Sequence, residues 1–160
     1  MLFRTIGLYW KRSDVFWGRP KNPGKLLGRK KSEKRGGVVD FWNQAGVYVL
    51  YSNFKIVYVG QAGGKARGLG RRLRHHTMDD LAGRWDTFSW FGMLQVKKNW
   101  ELAEKPELRA SELQNILNMV EGVLIAAAEP PLNRQGGRFG EKVERFLQVR
   151  DERLDNQKLV

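Results

Sequence analysis

The sequence contains no cysteine and no long hydrophobic run. Without cysteine we expect neither disulfide bonds nor a thiolate metal site. The longest apolar run, residues 123–128, is far shorter than the roughly 20 residues with which a helix crosses a bilayer. The N-terminus also lacks the apolar core of a signal peptide. We therefore expect a soluble, cytoplasmic protein.

Acidic residues are also in short supply, so the chain is strongly basic. Its 29 lysines and arginines against 17 aspartates and glutamates give a formal net charge of +12. Such a surplus favours a polyanionic partner, with nucleic acid the first candidate and an anionic membrane surface the alternative. The 160 residues suffice for a single domain with its own apolar core. We expect DNA as the partner, association with the nucleoid and no membrane binding.

Two short runs near the middle of the chain predict a β-hairpin. Residues 47–51 (VYVLY) and 56–60 (IVYVG) are rich in β-branched and aromatic residues. A turn centred on Asn53 would place Tyr48 directly opposite Tyr58 on one face of the hairpin. Such a tyrosine pair either belongs to a site or merely stabilises the hairpin.

A helix should follow the hairpin. The residues at spacings i, i+3, i+4 and i+7, which share one helix face, are Leu69, Arg72, Leu73 and His76. The arginines expected on a second, outer face are Arg67, Arg71 and Arg74. The neighbouring His75 would point about 100° away from His76, so we do not expect these two residues to chelate one ion.

The chain before the hairpin contains a weakly alternating segment and a basic one. Residues 2–10 predict a strand that pairs with an edge of the main sheet. Residues 18–37 are rich in glycine and basic side chains, so we expect an irregular basic arm that contacts DNA phosphates or, alternatively, a solvated loop. The residues expected to bind nucleic acid are Arg19, Lys21, Lys25, Arg29, Lys30, Lys31, Lys34 and Arg35, with Arg67, Arg71 and Arg74 from the helix.

The C-terminal half predicts a third strand and two helices. The strand would cover residues 85–96, and a helix would begin at Ser111. Glu121 lies at the margin of that helix's apolar face, where a carboxylate needs a metal ion or a basic side chain as partner. Apolar residues at helical spacing predict the last helix within residues 138–160.

Two tripeptides, Gly46-Val47-Tyr48 and Tyr58-Val59-Gly60, resemble the paired signature of the GIY-YIG nuclease family, with valine in place of both isoleucines. The resemblance covers residues 45–137 and implies an α+β fold. Its core would be a small three-stranded antiparallel sheet flanked by helices in the order ββαβα. Residues 1–44 would add a strand and the basic extension, and residues 138–160 a helix that packs on the core, within a single domain.

The resemblance also implies an activity, that of a metal-dependent endonuclease hydrolysing DNA phosphodiester bonds. The positions matching the family's catalytic set are Tyr48, Tyr58, Arg72, His76, Glu121 and Asn133. By this resemblance Glu121 binds one Mg²⁺ or Mn²⁺ per site and Tyr48 takes a proton from water. Arg72 holds the phosphate, and His76 is a candidate to relay the proton.

Several alternatives stay open at this point. A protein with the same fold could bind nucleic acid without cutting it, or could act on RNA. The short chain is similar in layout to the compact restriction-enzyme branch of the family, where a homodimer would cut both strands and a monomer would only nick. Glu121 could form a salt bridge, and Asn133, which follows two prolines, could simply cap the backbone.

Overall fold

The computed structural model describes residues 3–33, 35–63, 68–106, 122–124, 126–128 and 143–157. Within them lies a seven-stranded mixed sheet and a separate two-stranded hairpin. The strands are β1 (Thr5–Lys11), β2 (Phe16–Arg19), β3 (Asn22–Lys25), β4 (Leu27–Lys30), β5 (Val38–Asp40), β6 (Gly46–Ser52), β7 (Lys55–Ala62), β8 (Thr87–Gly92) and β9 (Glu144–Gln148).

Helices contribute little to the part of the chain that the structure describes. The helix α1 spans Leu69–His75, residues 122–124 and 126–128 are helical, and Arg12–Asp14 and Glu152–Gln157 form 3-10 turns. None of these helices is long and apolar enough to cross a membrane.

The large sheet has the strand order β5-β4-β9-β1-β8-β6-β7. Neighbouring strands are antiparallel except β1 and β9, which are parallel. Both faces are covered, because successive residues of a strand point to opposite faces and both sets are apolar in the central strands. One face buries Trp10, Tyr48, Phe88 and Trp90 with residues of α1, and the other buries Ile6, Val49, Tyr51 and Phe91 with Val123 and Ala127.

The predicted fold class is therefore wrong. The three predicted strands are neighbours, in the order β7-β6-β8, but they form one end of a larger mixed sheet and no separate antiparallel sheet. The other four strands come from residues 1–44, which were expected to supply one strand and a basic extension, and from residues 143–157, which were expected to form a helix. The strand predicted in residues 2–10 is present as β1, and it pairs with β8. The described part of the chain is mostly β.

Residues 144–148 form a strand, and not the predicted helix, for a clear physical reason. Residues 144–148 insert between β1 and β4, so their backbone groups are paired on both sides. Phe146 packs into the core, whereas the adjacent Leu147 stays 46% exposed. Two consecutive apolar residues fit a helical and a strand period equally well, and pairing with distant strands decides between them.

The basic segment 18–37 is not an irregular arm, because half of it lies in β2, β3 and β4. Four of its five glycines occupy places where large aromatic rings leave no room for a side chain. A Cβ atom on Gly24 would lie 2.4 Å from the Trp42 ring, and one on Gly28 would lie 2.8 Å from Trp10. The glycine content of this segment therefore serves packing.

The β2–β3 hairpin is fastened to the C-terminal 3-10 turn by Arg153. The Arg153 guanidinium lies 3.9 Å from the centre of the Phe16 ring and donates to the Asn22 Oδ1 atom at 2.6 Å. It also binds both carboxylate oxygens of the buried Asp151, at 2.9 and 2.6 Å. This bidentate pairing holds the pKa of Asp151 below its usual range.

Candidate active site

The β6–β7 hairpin carries the two tyrosines of the site. Its strand register differs from the expected one. Asn53 and Phe54 form a two-residue turn with φ values of 49° and 65°, the left-handed conformation that such turns need. A ladder running evenly from this turn would pair Val49 with Tyr58 and place Tyr58 on the face opposite Tyr48.

A β-bulge in β7 shifts the register by one residue and returns Tyr58 to the Tyr48 face. Val57 is left out of the ladder, so that Leu50 pairs with Tyr58 and Tyr48 pairs with Gly60. The two tyrosines therefore share one face as diagonal neighbours, with ring centroids 6.1 Å apart. The expectation that they lie directly opposite each other is wrong.

Gly60 makes room for the Tyr48 ring. A Cβ atom at this position would lie 2.4 Å from both the Cζ and the hydroxyl oxygen of Tyr48. The hydroxyl end of the phenol thus lies against Gly60, and Tyr48 is 0% exposed.

The helix α1 and the residue that ends it bring two further groups to this hydroxyl. Leu69 and Leu73 are buried and hold the helix on the sheet face that carries Tyr48. Arg72 interacts with the Tyr48 hydroxyl, and its buried Nε has no hydrogen-bond partner among the residues that the structure describes. His76 follows α1 directly and is 4% exposed.

Short contacts fix the His76 ring at both nitrogens. Its Nε2 lies 2.8 Å from the Tyr48 hydroxyl, and its Nδ1 lies 2.6 Å from the Oδ2 of Asp79. The indole N–H of Trp85 donates to the His76 carbonyl at 3.0 Å, and the Tyr58 ring centroid lies 4.8 Å from that of the imidazole. These contacts define a series of hydrogen bonds from Tyr48 through His76 to Asp79.

The surroundings of Tyr48 and Asp79, the two ends of this hydrogen-bond series, determine their charge. Burial, with a smaller contribution from Tyr58, raises the pKa of Tyr48 to about 12 although the Arg72 charge opposes the rise. Burial also pushes the pKa of Asp79 upward, but the Leu81 backbone N–H and His76 outweigh it, so this pKa is lowered. At neutral pH Tyr48 is a neutral phenol and Asp79 a carboxylate.

The structure brings Tyr48, Tyr58, Arg72 and His76 together, four of the six residues predicted to be catalytic. The other two, Glu121 and Asn133, lie outside the described residues. Sequence reasoning missed Asp79. Its position three residues after His76 was the available signal, because side chains at this spacing meet near a helix end.

His75, His76 and Asp79 also form a group that could hold a metal ion, with one ligand atom from each within 4.8 Å of the others. Such nitrogen-rich sets suit zinc, whereas magnesium takes oxygen ligands. However, both ring nitrogens of His76 already have partners, and His75 is 65% exposed. The contacts of this group are explained by hydrogen bonds alone, and we assign no metal to it.

The residues predicted to bind nucleic acid lie mostly at the surface. Seven are exposed: Arg19, Lys21, Lys25, Lys31, Arg35, Arg71 and Arg74. Arg29 and Lys30 are partly buried, and Lys30 pairs with Glu144 at 2.6 Å and Glu33 at 3.2 Å. Lys34 and Arg67 are not among the described residues. Lys30 is the least suited to a phosphate contact, because two carboxylates already neutralise it.

No protein-family model, no curated protein and no solved structure matches this chain significantly.

Proposed function

We propose that the protein is a metal-dependent endonuclease that hydrolyses DNA phosphodiester bonds with the chemistry of the GIY-YIG nucleases. One observation carries the proposal: a hairpin, a helix and the residue ending that helix converge on the Tyr48 hydroxyl with a second tyrosine, an arginine and a histidine. A structural tyrosine pair needs neither the arginine nor the histidine.

In this proposal the Tyr48 hydroxyl acts as a general base by passing on its own proton as it takes one from water. With a pKa of about 12 the phenol keeps this proton at neutral pH, and His76 Nε2 is the nearby acceptor. In the step we propose, water gives a proton to Tyr48 while the original Tyr48 proton passes to His76. The water oxygen bonds to phosphorus, the bond to O3′ breaks, and the leaving oxygen takes a proton from solvent.

Arg72 supplies positive charge where this reaction develops negative charge. Its guanidinium interacts with the Tyr48 hydroxyl and favours the phenolate. The Arg72 side chain is only partly buried, so its guanidinium can also donate to a phosphate oxygen. A planar guanidinium binds two phosphate oxygens at once, so Arg72 is suited to orient the scissile group.

A divalent cation, Mg²⁺ or Mn²⁺, would supply charge neutralisation at the scissile phosphate when bound. Glu121 is the residue expected to hold it. Tyr48, Tyr58, Arg72 and His76 offer no carboxylate, which fits a magnesium ion whose other ligands are water and substrate oxygens.

The substrate class follows from charge. The net charge of +12 and the exposed basic residues of the β2–β3 hairpin and α1 favour a polyanion. We propose double-stranded DNA, with RNA as the alternative. A homodimer would combine two such sites for double-strand cleavage, in a cytoplasmic protein that associates with the nucleoid.

The test is plasmid cleavage. Supercoiled DNA is incubated with the wild type, Tyr48→Phe, Arg72→Ala and Glu121→Ala, each with magnesium and with EDTA. Only the wild type with magnesium should yield nicked or linear DNA at full rate, and Arg72→Ala should be slower by about 10²–10³-fold, as for loss of one transition-state donor.

Arg84→Ala is the matched control, since Arg84 is an exposed arginine in the loop before β8. It should cut like the wild type. If the wild type shifts the plasmid on a gel but never cuts it, the protein is a binding module. Faster cleavage of RNA at the same salt concentration would assign RNA as the substrate.

A further inference from the structure

We infer that Asp79 is a positioning residue that holds His76 in the Nδ1–H tautomer, so that His76 Nε2 is bare and accepts the hydrogen bond of the Tyr48 hydroxyl. The catalytic consequence rests on the proposed endonuclease function. The tautomer itself does not, because it follows from the contacts within the protein.

The proton positions follow from the chain of contacts. An ionised carboxylate can only accept hydrogen bonds, and the Asp79 Oδ2 lies 2.6 Å from His76 Nδ1. Nδ1 must therefore carry a hydrogen. A neutral imidazole has one N–H, so Nε2 is an acceptor, and the hydroxyl 2.8 Å away must donate to it.

The carboxylate cannot easily turn away from this role. Its Oδ1 accepts the Leu81 backbone N–H at 2.9 Å, while the Asp79 backbone N–H donates to the His75 carbonyl at 3.1 Å. His76 is nearly inaccessible to water, so solvent would poorly replace Asp79 as the partner of Nδ1. Asp79 thus fixes both the ring orientation and the tautomer.

The same carboxylate would matter during proton transfer. When the Tyr48 proton reaches Nε2, the buried ring becomes an imidazolium, and a charge in such a place is costly unless it is paired. Asp79 provides the opposite charge at hydrogen-bond distance. Without it, Nε2 is no longer held as a bare acceptor and the imidazolium has no counter-charge.

Asparagine at this position gives a sharp test because of the Leu81 contact. In Asp79→Asn the amide oxygen is the group able to accept the Leu81 N–H, which leaves the NH₂ group facing His76 Nδ1. The ring must then present a bare Nδ1 and carry its hydrogen on Nε2. The variant changes one atom and leaves no cavity, so we expect it to fold.

The measurement is nitrogen NMR of histidine-labelled protein. The chain has only two histidines, so His75→Ala assigns the spectrum. The wild type and Asp80→Asn should show His76 as the Nδ1–H tautomer, and Asp79→Asn should show the Nε2–H tautomer. A wild-type ring that is Nε2–H or doubly protonated, or an unchanged tautomer in Asp79→Asn, would overturn the inference.

Plasmid cleavage then tests the catalytic consequence. Asp79→Asn should lower the rate at saturating DNA by about 10²–10⁴-fold without changing the DNA concentration at half-maximal rate. Combining it with His76→Ala should be no slower than His76→Ala alone, since both act through one group. An unchanged rate with an inverted tautomer would overturn the positioning role. A wild type that never cuts would refute only the endonuclease proposal, because the NMR result stands by itself.

Discussion

Tyr48 is completely buried although its side chain ends in a polar hydroxyl. Burial raises its pKa to about 12, so deprotonation is difficult but produces a strong base. His76 and Arg72 are the two groups that can make the phenolate accessible, one as proton acceptor and the other as positive charge. The reactivity of Tyr48 therefore depends on His76 and Arg72 as much as on the phenol itself.

The raised pKa predicts how Tyr48 titrates. The chain has four tyrosines, and in the tyrosinate absorbance of the folded protein Tyr48→Phe should remove a transition near pH 12. The folded pKa lies above the ordinary value of 10.0, so the stability that Tyr48 contributes is complete below pH 10 and is lost as pH rises towards 12. The wild type should lose about 1.4 kcal/mol per pH unit more than the variant in this window.

Tyr58→Phe is the comparison for that titration, because it should keep the transition but move it slightly below pH 12, since Tyr58 contributes to the raised pKa of Tyr48. Circular dichroism at each pH establishes that the protein is still folded. A transition removed by Tyr48→Phe at pH 10 would contradict the environment described for this residue.

Sequence patterns could predict much of the site at this scale. The signature tripeptides and the helical spacing were sufficient to expect that Tyr48, Tyr58, Arg72 and His76 meet. They gave only a weak signal for Asp79, its spacing of three residues from His76, because the chain leaves the helix after His75 and the bend that returns the carboxylate to Nδ1 depends on the Leu81 N–H.

At the scale of single elements, the bulge in β7 decides which residues face the site. It changes the parity of the strand, so Tyr58 and Gly60 lie on the Tyr48 face and Val59 pairs with Val49 on the other. A two-residue turn without the bulge would have exchanged these two sets.

Deletion of Val57 should therefore remove the bulge and leave Tyr58 in the site. In the shortened strand an even ladder from the same turn pairs Leu50 with Tyr58, as the bulge does now, so the Tyr58 and His76 rings, whose centroids are 4.8 Å apart, should stay together. Proton NMR cross-peaks between the two rings report this contact directly. Deletion of Ile56 as well should move Tyr58 to the opposite face and abolish the cross-peaks. Their loss after the single deletion would contradict the role given to the bulge.

The fold was less predictable than the site because the missing strands are fixed by distant partners. β9 pairs with β1 and β4, more than 110 residues earlier in the chain. The local spacing of apolar residues along the sequence cannot reveal such pairing. In the same way, Gly24 and Gly28 are typical of an irregular arm by composition, whereas they make space for tryptophan rings that approach from other elements.

At the scale of the whole molecule, the β2–β3 hairpin carries Arg19, Lys21 and Lys25 at its surface and is fastened by Arg153. A fastened two-stranded basic ribbon contacts phosphates with less ordering cost than a flexible arm does. We expect its cations to strengthen binding to all DNA sequences alike, because phosphates carry no sequence information.

Salt dependence of DNA binding tests this role. Lys21→Ala/Lys25→Ala should weaken binding to unrelated duplexes equally and reduce the slope of log affinity against log salt by about 0.9 for each phosphate that the variant no longer neutralises. Fluorescence anisotropy at several salt concentrations measures both. The control Lys97→Ala/Lys98→Ala removes the same charge from two other exposed lysines and should leave the slope nearly unchanged. Equal effects of the two double variants would show that only net charge matters.

The packing of Trp42 has a consequence for how this sequence can vary. A Cβ atom on Gly24 or on Gly70 would lie 2.4 or 2.2 Å from the Trp42 indole, so one ring fills the space at both the basic hairpin and the helix that carries Arg72. These three positions cannot change independently. A side chain becomes acceptable at 24 or 70 only when a smaller residue stands at 42, and such a compensated variant would shift the hairpin and the helix together. The three sites should therefore show strong epistasis.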